Sequence, residues 1–111
     1  MTVRRKRLGD QIHRALASLM STALTDPVLK TLTITAVDVA PDLSNAKVYF
    51  VAHDDEIKKE LERALKHAGN YLRKSLATEL NMRVTPRLNF HYDESFAHGQ
   101  RIETLLEGIE E

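Results

Sequence analysis

The sequence predicts a single α+β domain with the element order helix, strand, strand, helix, helix, strand and terminal helix. Apolar residues recur at helical spacing in residues 8–23 and 57–80, whereas in residues 32–52 and 88–92 they alternate with polar residues, as in a strand. A chain of 111 residues is long enough for one hydrophobic core and too short for two. We therefore expect one domain over residues 1–111.

The first helix is predicted from Leu8 onward, where an apolar stripe begins. This stripe consists of Leu8, Ile12, Ala15, Leu16, Leu19, Met20 and Ala23. Thr25-Asp26-Pro27 should end the helix, because proline disfavours helical geometry in the residue before it. Residues 1–7, ahead of the helix, form a predicted basic arm.

Two strands should follow and pair as an antiparallel hairpin. Apolar residues alternate with threonines across residues 32–36, and the phase then shifts to Val37. A β-bulge near Ala36 would explain this shift, because a bulge inserts one extra residue into a strand. Residues 41–45 form a turn cluster, after which the alternation resumes in residues 46–52.

The apolar stripe of residues 57–80 is predicted to form two helices joined by a kink. Carboxylates in residues 54–56 favour a helix start at that point. Gly69-Asn70 should interrupt the stripe, because glycine has little helical preference and asparagine tolerates left-handed geometry. Such a kink would expose the backbone amides of residues 68–71.

The last strand should begin at Pro86, since Leu88, Phe90 and Tyr92 alternate with polar residues after it. A short terminal helix, capped by residues 93–95, is expected to follow. It would end in an acidic tail over residues 103–111, which we expect to be flexible.

Charge is distributed unevenly, although the formal net charge of the chain is zero. Residues 1–14 carry a net charge of about +4 and residues 58–87 about +5, whereas residues 93–111 carry about −5. A basic region of this kind suits an anion such as RNA phosphate. The absence of cysteine excludes disulfides and thiolate chemistry, and no apolar run is long enough for a signal peptide or a membrane span. We expect a cytoplasmic protein with no membrane partner.

The long helical stretch carries a line of basic and polar residues opposite its leucines. Cations at steps of three and four residues match a string of phosphates, and Tyr71 beside the kink could stack on a base. The basic arm and two arginines flanking the start of the last strand should extend this surface. The predicted RNA-binding residues are Arg4, Arg5, Lys6, Arg7, Lys59, Arg63, Lys66, Ala68, Gly69, Asn70, Tyr71, Arg73, Lys74, Arg83 and Arg87.

The residues alone leave other functions open. The basic helix could be the solvated face of an amphipathic helix, and the acidic C-terminal segment could make the protein an interaction adaptor. His91, Asp93 and His98 invite a metal hypothesis, but no His-Glu-x-x-His helix or phosphate loop accompanies them. We therefore predict no catalytic residues, no metal, no cofactor and no small-molecule substrate. Because aromatic residues are few and tryptophan is absent, RNA should be recognised by shape and backbone more than by stacking.

An ordered set of short motifs resembles the ribosome-binding factor A family over most of the chain. The motifs are Asp26-Pro27, Asp42-Leu43-Ser44, Ala46-Lys47-Val48-Tyr49, Ala64-Leu65 through Arg73, Arg83-Val84, Pro86, Leu88, Phe90, Tyr92-Asp93, Ser95, Gly99 and Arg101-Ile102. The resemblance implies a type II KH-like domain. That family replaces the Gly-x-x-Gly loop of ordinary KH domains by an Ala-x-Gly kink between helices. Here the kink would fall on Ala68-Gly69-Asn70, with Asn70 at the position where glycine is expected.

The resemblance also implies a function. It implies a non-enzymatic assembly factor that binds small-subunit (16S) ribosomal RNA in the immature 30S subunit and assists late maturation and end processing of that RNA. The expected partner is the small ribosomal subunit with its RNA, the free protein would be a monomer, and the function would matter most in the cold.

Overall fold

The computed structural model describes residues 3–22 and 27–95 of the chain. In this part, two α-helices pack on one face of a three-stranded sheet, which confirms the predicted α+β class. The elements are α1 (Val3–Thr22), β1 (Leu32–Val39), β2 (Asn45–Ala52), α2 (Lys58–Glu79) and β3 (Arg87–Tyr92). The predicted terminal helix beyond Ser95 and the acidic tail lie outside the described residues. No helix among the described residues has the length and apolarity needed to cross a bilayer.

The strand order in the sheet is β1-β2-β3. Strands β1 and β2 form the predicted antiparallel hairpin, and a register shift between Ile34 and Ala36 confirms the predicted bulge. The bulge brings Val37 and Val39 onto the side of the core, which accounts for the phase shift in the sequence. Strand β3 pairs with β2 in parallel, so β3 forms one edge of the sheet.

The hydrophobic core lies between the helices and the inner face of the sheet. Its most deeply buried side chains are Ile12, Leu16, Leu29, Val48, Phe50, Leu61, Leu65, Leu72 and Leu76. Each aliphatic or aromatic side chain that leaves water contributes about 1.5–3 kcal/mol to folding. The edge strand joins this core through Tyr92, whose ring meets the Phe50 ring edge-on at a centroid distance of 5.7 Å.

Helix α1 begins at Val3, so the predicted basic arm is wrong for the described residues 3–7, which are helical. Contacts with β1 explain the longer helix. The Arg5 guanidinium donates hydrogen bonds from Nε and Nη2 to the backbone oxygen of Val39, at 3.1 and 2.9 Å. Gly9 permits close approach of the two elements, since a Cβ there would lie 3.0 Å from the backbone oxygen of Val37.

Helix α2 is continuous, and the predicted division into two helices at Gly69-Asn70 is therefore wrong. A single apolar phase runs through this point. It is carried by Leu61, Leu65, Leu72 and Leu76, which are at most 1% exposed. Glycine costs a helix only about 1 kcal/mol relative to alanine, less than the burial of one leucine contributes. The helix also engages the backbone amides of residues 68–71 in its own hydrogen bonds, so these amides are not exposed as predicted.

The C-terminus of α2 is closed by a left-handed residue. Asn81 has φ 53°, and its N–H donates to the backbone oxygen of Thr78, while the N–H of Met82 donates to that of Ala77. This is the hydrogen-bond pattern of a Schellman motif, in which asparagine can replace the usual glycine. The motif turns the chain into the segment of residues 82–86 that leads to β3.

Candidate nucleic-acid interface

An open groove with a volume of about 650 Å³ lies between α2 and the free edge of β3. We call it the α2–β3 groove. Its polar lining on the helix side consists of Glu62, Lys66, Asn70 and Arg73, and on the strand side of Arg87, Asn89 and His91. Gly69 lies between the helix residues, and apart from its chain neighbours and the adjoining helix backbone no described atom lies within 4 Å of the position that a Cβ would take there. Part of the predicted basic and polar line on α2, namely Lys66, Asn70 and Arg73, thus forms one wall of this groove.

The charge of the α2–β3 groove is positive. Lys66, Arg73 and Arg87 line it with Glu62 as the single carboxylate among its lining residues. Lys66 and Arg87 are exposed, and within the described residues neither side chain forms an ion pair. Two cations on opposite walls can therefore attract an anionic chain lying between them.

Arg73 has a structural role that the sequence did not reveal. Its guanidinium donates from Nε and Nη2 to the backbone oxygen of Thr85, at 3.2 and 2.9 Å, and Thr85 is only 8% exposed. These bonds tie the segment before β3 to α2. On the other side of Arg73 lies a second concavity of about 330 Å³, which includes Lys74 and Arg83 in its lining. Arg73 therefore holds in place the segment that brings Arg83 beside α2.

The basic start of α1 lies at the same end of the sheet as Arg87. Arg5 bonds to Val39 at the end of β1, Val39 pairs with Ala46, and the neighbouring Asn45 pairs with Arg87. Adjacent strands are about 4.8 Å apart, so β1 and β3 are separated by about 10 Å. The exposed side chains of Arg4, Lys6 and Arg7 thus add positive charge to this end of the molecule, whereas Arg5 is held by the fold.

Tyr71 and Ala68 are among the predicted residues that do not line the groove. Tyr71 is 49% exposed, but it lies about 160° around the helix from Arg73 at 3.6 residues per turn. Ala68 is half-buried and packs against the core. By the same geometry, Lys59 and Arg63 extend the exposed basic face of α2 toward its start, outside the groove lining.

Three polar residues of the groove lining were missed by sequence reasoning, namely Glu62, Asn89 and His91. The alternation in β3 does place Arg87, Asn89 and His91 on one side of a strand. Nothing local in the sequence shows that β3 is an edge strand next to α2, because this depends on pairing with β2, about forty residues away in the chain.

Charged groups at the start of α2 and just after β3 make contacts within the fold. Lys58 donates a hydrogen bond to Glu94 at 3.1 Å, and its Nζ lies 4.3 Å from the centre of the Tyr92 ring. The hydrogen bond to Glu94 raises the pKa of Lys58. Asp93 accepts a hydrogen bond from the Thr35 hydroxyl at 2.5 Å. His98 of the metal hypothesis lies outside the described residues, and within residues 3–22 and 27–95 no three histidine or carboxylate groups are placed to hold a metal ion.

Comparisons with known proteins agree with the resemblance seen in the sequence. The family model described as Ribosome-binding factor A matches residues 4–106. Ribosome-binding factor A of Citrifermentans bemidjiense is 43% identical over 110 residues, covering 98% of this chain and 92% of that protein. The crystal structure of ribosome-binding factor A from Thermus thermophilus superposes with a TM-score of 0.71 at 38% identity, covering 79% of this chain and 94% of that one. A homology model of the Thermus thermophilus protein, fitted into the cryo-electron-microscopy map of a 30S complex, gives a TM-score of 0.68 at 39% identity, covering 81% of this chain and 96% of that one.

Proposed function

The chain belongs to the ribosome-binding factor A family, and we propose that it binds ribosomal RNA of the immature small subunit in the α2–β3 groove. One observation carries the proposal: Lys66 on α2 and Arg87 on β3 face the same open concavity from opposite walls. RNA phosphates supply the negative charge that such a pair attracts, and contacts to the backbone fix the position of the RNA.

The remaining groove groups suit the sugars and base edges of RNA. Asn70 and Asn89 each carry an amide that can both donate and accept hydrogen bonds, and the His91 imidazole has the same capacity. Such groups can reach 2′-hydroxyls and unpaired base edges, which lie beside the phosphates of a single strand or loop. Glu62 at the helix wall would repel phosphate and so helps to set the path of the backbone.

We place this binding in the assembly of the small ribosomal subunit. A relative of the chain has been fitted into a 30S complex, and the same partner is proposed here. A protein that binds one conformation of an RNA more tightly than another shifts the population toward the first. In this way the chain would assist late maturation and end processing of the RNA as a cytoplasmic monomer that makes and breaks no bond, with its greatest effect in the cold.

The test is charge reversal on the two walls of the groove. Lys66→Glu combined with Arg87→Glu should weaken binding to purified immature small subunits by about a hundred-fold or more, the loss expected for two charge-assisted contacts of about 1.5 kcal/mol each. The matched control is Lys30→Glu, an exposed lysine beside the start of β1 at the opposite end of the sheet. Equal affinities of the double variant and the control would refute the proposal.

A further inference from the structure

One face of the sheet is not covered by any described residue. The inner face packs on α1 and α2, whereas the side chains on the other face alternate with the core residues and are exposed or half-buried. Where β2 and β3 pair with each other, this face consists of Asn45, Lys47, Tyr49, Arg87, Asn89 and His91. We call these six residues the open face.

An aromatic pair stands on the open face. Tyr49 of β2 and His91 of β3 are register partners, with ring centroids 5.9 Å apart and ring planes 38° apart. Tyr49 is half-buried and His91 is exposed. A cross-strand pair of this kind adds at most about 1 kcal/mol to a sheet, and the hydrophobic effect does not favour rings left facing water. Aromatic rings on an exposed sheet face are, by contrast, a recurrent platform on which single-stranded RNA stacks its bases.

Positive charge lies beside the aromatic pair. Along the strands, Lys47 is about 7 Å from Tyr49 and Arg87 about 13 Å from His91, at about 3.3 Å per residue. Both cations are exposed, and within the described residues neither forms an ion pair. Asp38 pairs with Lys47 across β1 and offsets part of this charge, so the face is weakly rather than strongly basic.

A polar row lies between the rings and Arg87. Asn89 donates from its side-chain nitrogen to the side-chain oxygen of Asn45 at 3.3 Å, which fixes the orientation of its amide. The Asn89 side-chain oxygen has no hydrogen bond within the described residues. An oriented acceptor next to a stacking platform can receive a hydrogen bond from the amino or imino group of a base.

The open face is continuous with the α2–β3 groove. Arg87, Asn89 and His91 belong to the open face and also line the groove, because β3 is the edge strand between them. An RNA strand that leaves the groove over this edge would meet the aromatic pair directly. No other helix or strand of the described residues lies between the two surfaces, because β3 is itself the edge of the sheet.

From this arrangement we propose that the open face is a second RNA contact, in which Tyr49 and His91 stack one unpaired base of the strand held in the α2–β3 groove. The inference rests on the proposed function and adds base stacking to it. It also revises the expectation that stacking contributes little: two rings provide a platform for one base, not for a run of bases.

The experiment uses the full chain and single-stranded RNA of about ten nucleotides, a length within the usual range of such sites. Tyr49→Leu removes the ring and keeps an apolar side chain, whereas Tyr49→Phe keeps the ring and serves as the matched control. We expect Tyr49→Leu to weaken binding by about ten-fold, the usual effect of losing one stacked base, and Tyr49→Phe to bind like the original chain. Fluorescence anisotropy gives both dissociation constants, and thermal unfolding checks that both variants fold.

A Lys66→Glu variant in the same assay separates this inference from the proposed function. If Lys66→Glu loses affinity while Tyr49→Leu and Tyr49→Phe bind equally, the open-face contact is refuted and groove binding stands. If neither Lys66→Glu nor Tyr49→Leu loses affinity, both are refuted.

Photocrosslinking of the original chain provides a readout that does not depend on the folding of a variant. With 4-thiouridine in the same RNA, crosslinks should map to the peptides that contain Tyr49 or His91 as well as to α2. Crosslinks confined to α2, or an RNA that does not bind the chain at all, would overturn the inference.

Discussion

Arginine residues on the basic surface of this domain differ in what they contribute. Arg5 and Arg73 each donate two hydrogen bonds to one backbone oxygen, and each thereby fastens a helix to a strand or to the segment before a strand. Lys66 and Arg87 have no such partners within the described residues and leave their charge available. At the residue scale, a positive charge therefore indicates an RNA contact only when the fold does not already use its donors.

This difference predicts that substitutions of Arg73 and Lys66, which both line the groove, change the stability of the fold to different extents. Arg73→Ala should lower the free energy of unfolding by about 1.5–3 kcal/mol, because a charge-assisted interaction with the buried backbone of Thr85 is lost. Lys66→Ala should change it by less than about 0.5 kcal/mol, as is usual for an exposed side chain. Chemical denaturation measures both values. Similar stabilities of the two variants would show that Arg73 is not a structural clamp.

Gly69 gives a second prediction at this scale, in which stability and binding change in opposite directions. Gly69→Ala should raise the free energy of unfolding by about 0.5–1 kcal/mol, because alanine favours a helix and the new Cβ would meet no described atom within 4 Å beyond its chain neighbours and the adjoining helix backbone. The same methyl group enters the α2–β3 groove and should weaken RNA binding. Denaturation and anisotropy give the two readouts.

Gly9→Ala provides the contrast for this experiment, because its Cβ would lie 3.0 Å from the backbone oxygen of Val37. It should destabilise the chain. If both glycine variants bind RNA like the original chain, the floor of the groove at Gly69 is not in contact with RNA.

At the scale of elements, the periodicity of apolar residues correctly predicted the features of the fold that local packing determines. The phase shift at Ala36 located the bulge, and the alternation of residues 46–52 located β2. The kink at Gly69-Asn70 was predicted from local preference alone. It is absent as a helix break because the leucines on either side share one apolar phase, and their burial outweighs that preference.

The groove itself could not be predicted from periodicity. It exists because β3 pairs in parallel with β2 and leaves its outer edge facing α2. A local pattern shows that a strand has two sides, but the neighbour of each edge depends on contacts between distant parts of the chain. The basic residues of α2 were therefore identified from the sequence, whereas their partners on β3 were identified only in part.

The turn between β1 and β2 gives a prediction for pH dependence. Asp42 Oδ1 accepts a hydrogen bond from the Ser44 hydroxyl at 2.7 Å and another from the Ser44 backbone N–H at 3.1 Å. These hydrogen bonds lower the pKa of Asp42. A lowered pKa means that the folded state favours the ionised carboxylate. Its contribution to stability is present above the pKa of an unfolded aspartate and is lost as the pH falls through the lowered pKa.

Unfolding experiments should therefore show Asp42→Asn less stable than the original chain at neutral pH, with the difference in the free energy of unfolding shrinking in acid. A difference independent of pH would exclude this role for the ionised group.

At the scale of the whole molecule, opposite charges lie in different parts of the chain. The basic residues of α1, α2 and β3 belong to the described domain, whereas residues 103–111 contain four glutamates and no basic residue. These residues would repel RNA, so their deletion should leave RNA affinity unchanged or raise it. If the protein instead acts as an adaptor through the acidic segment, the deletion should abolish binding of its protein partner. The RNA affinity would not report that loss. Anisotropy with single-stranded RNA measures the effect, and a clear loss of affinity on deletion would contradict the groove as the main binding site.

Binding of ribosomal RNA in the α2–β3 groove is tested most directly by sedimentation of the tagged chain in cell extract at increasing salt, with the RNA of each fraction identified. Binding through phosphates releases counterions, so it weakens steeply as salt rises. We expect the chain to sediment with small subunits that carry immature RNA at low salt and to leave them as salt increases. The variant with Lys66→Glu and Arg87→Glu should leave them at lower salt than Lys30→Glu. Sedimentation of the chain as a free small protein at every salt, or identical profiles for the groove variant and its control, would contradict binding in the groove.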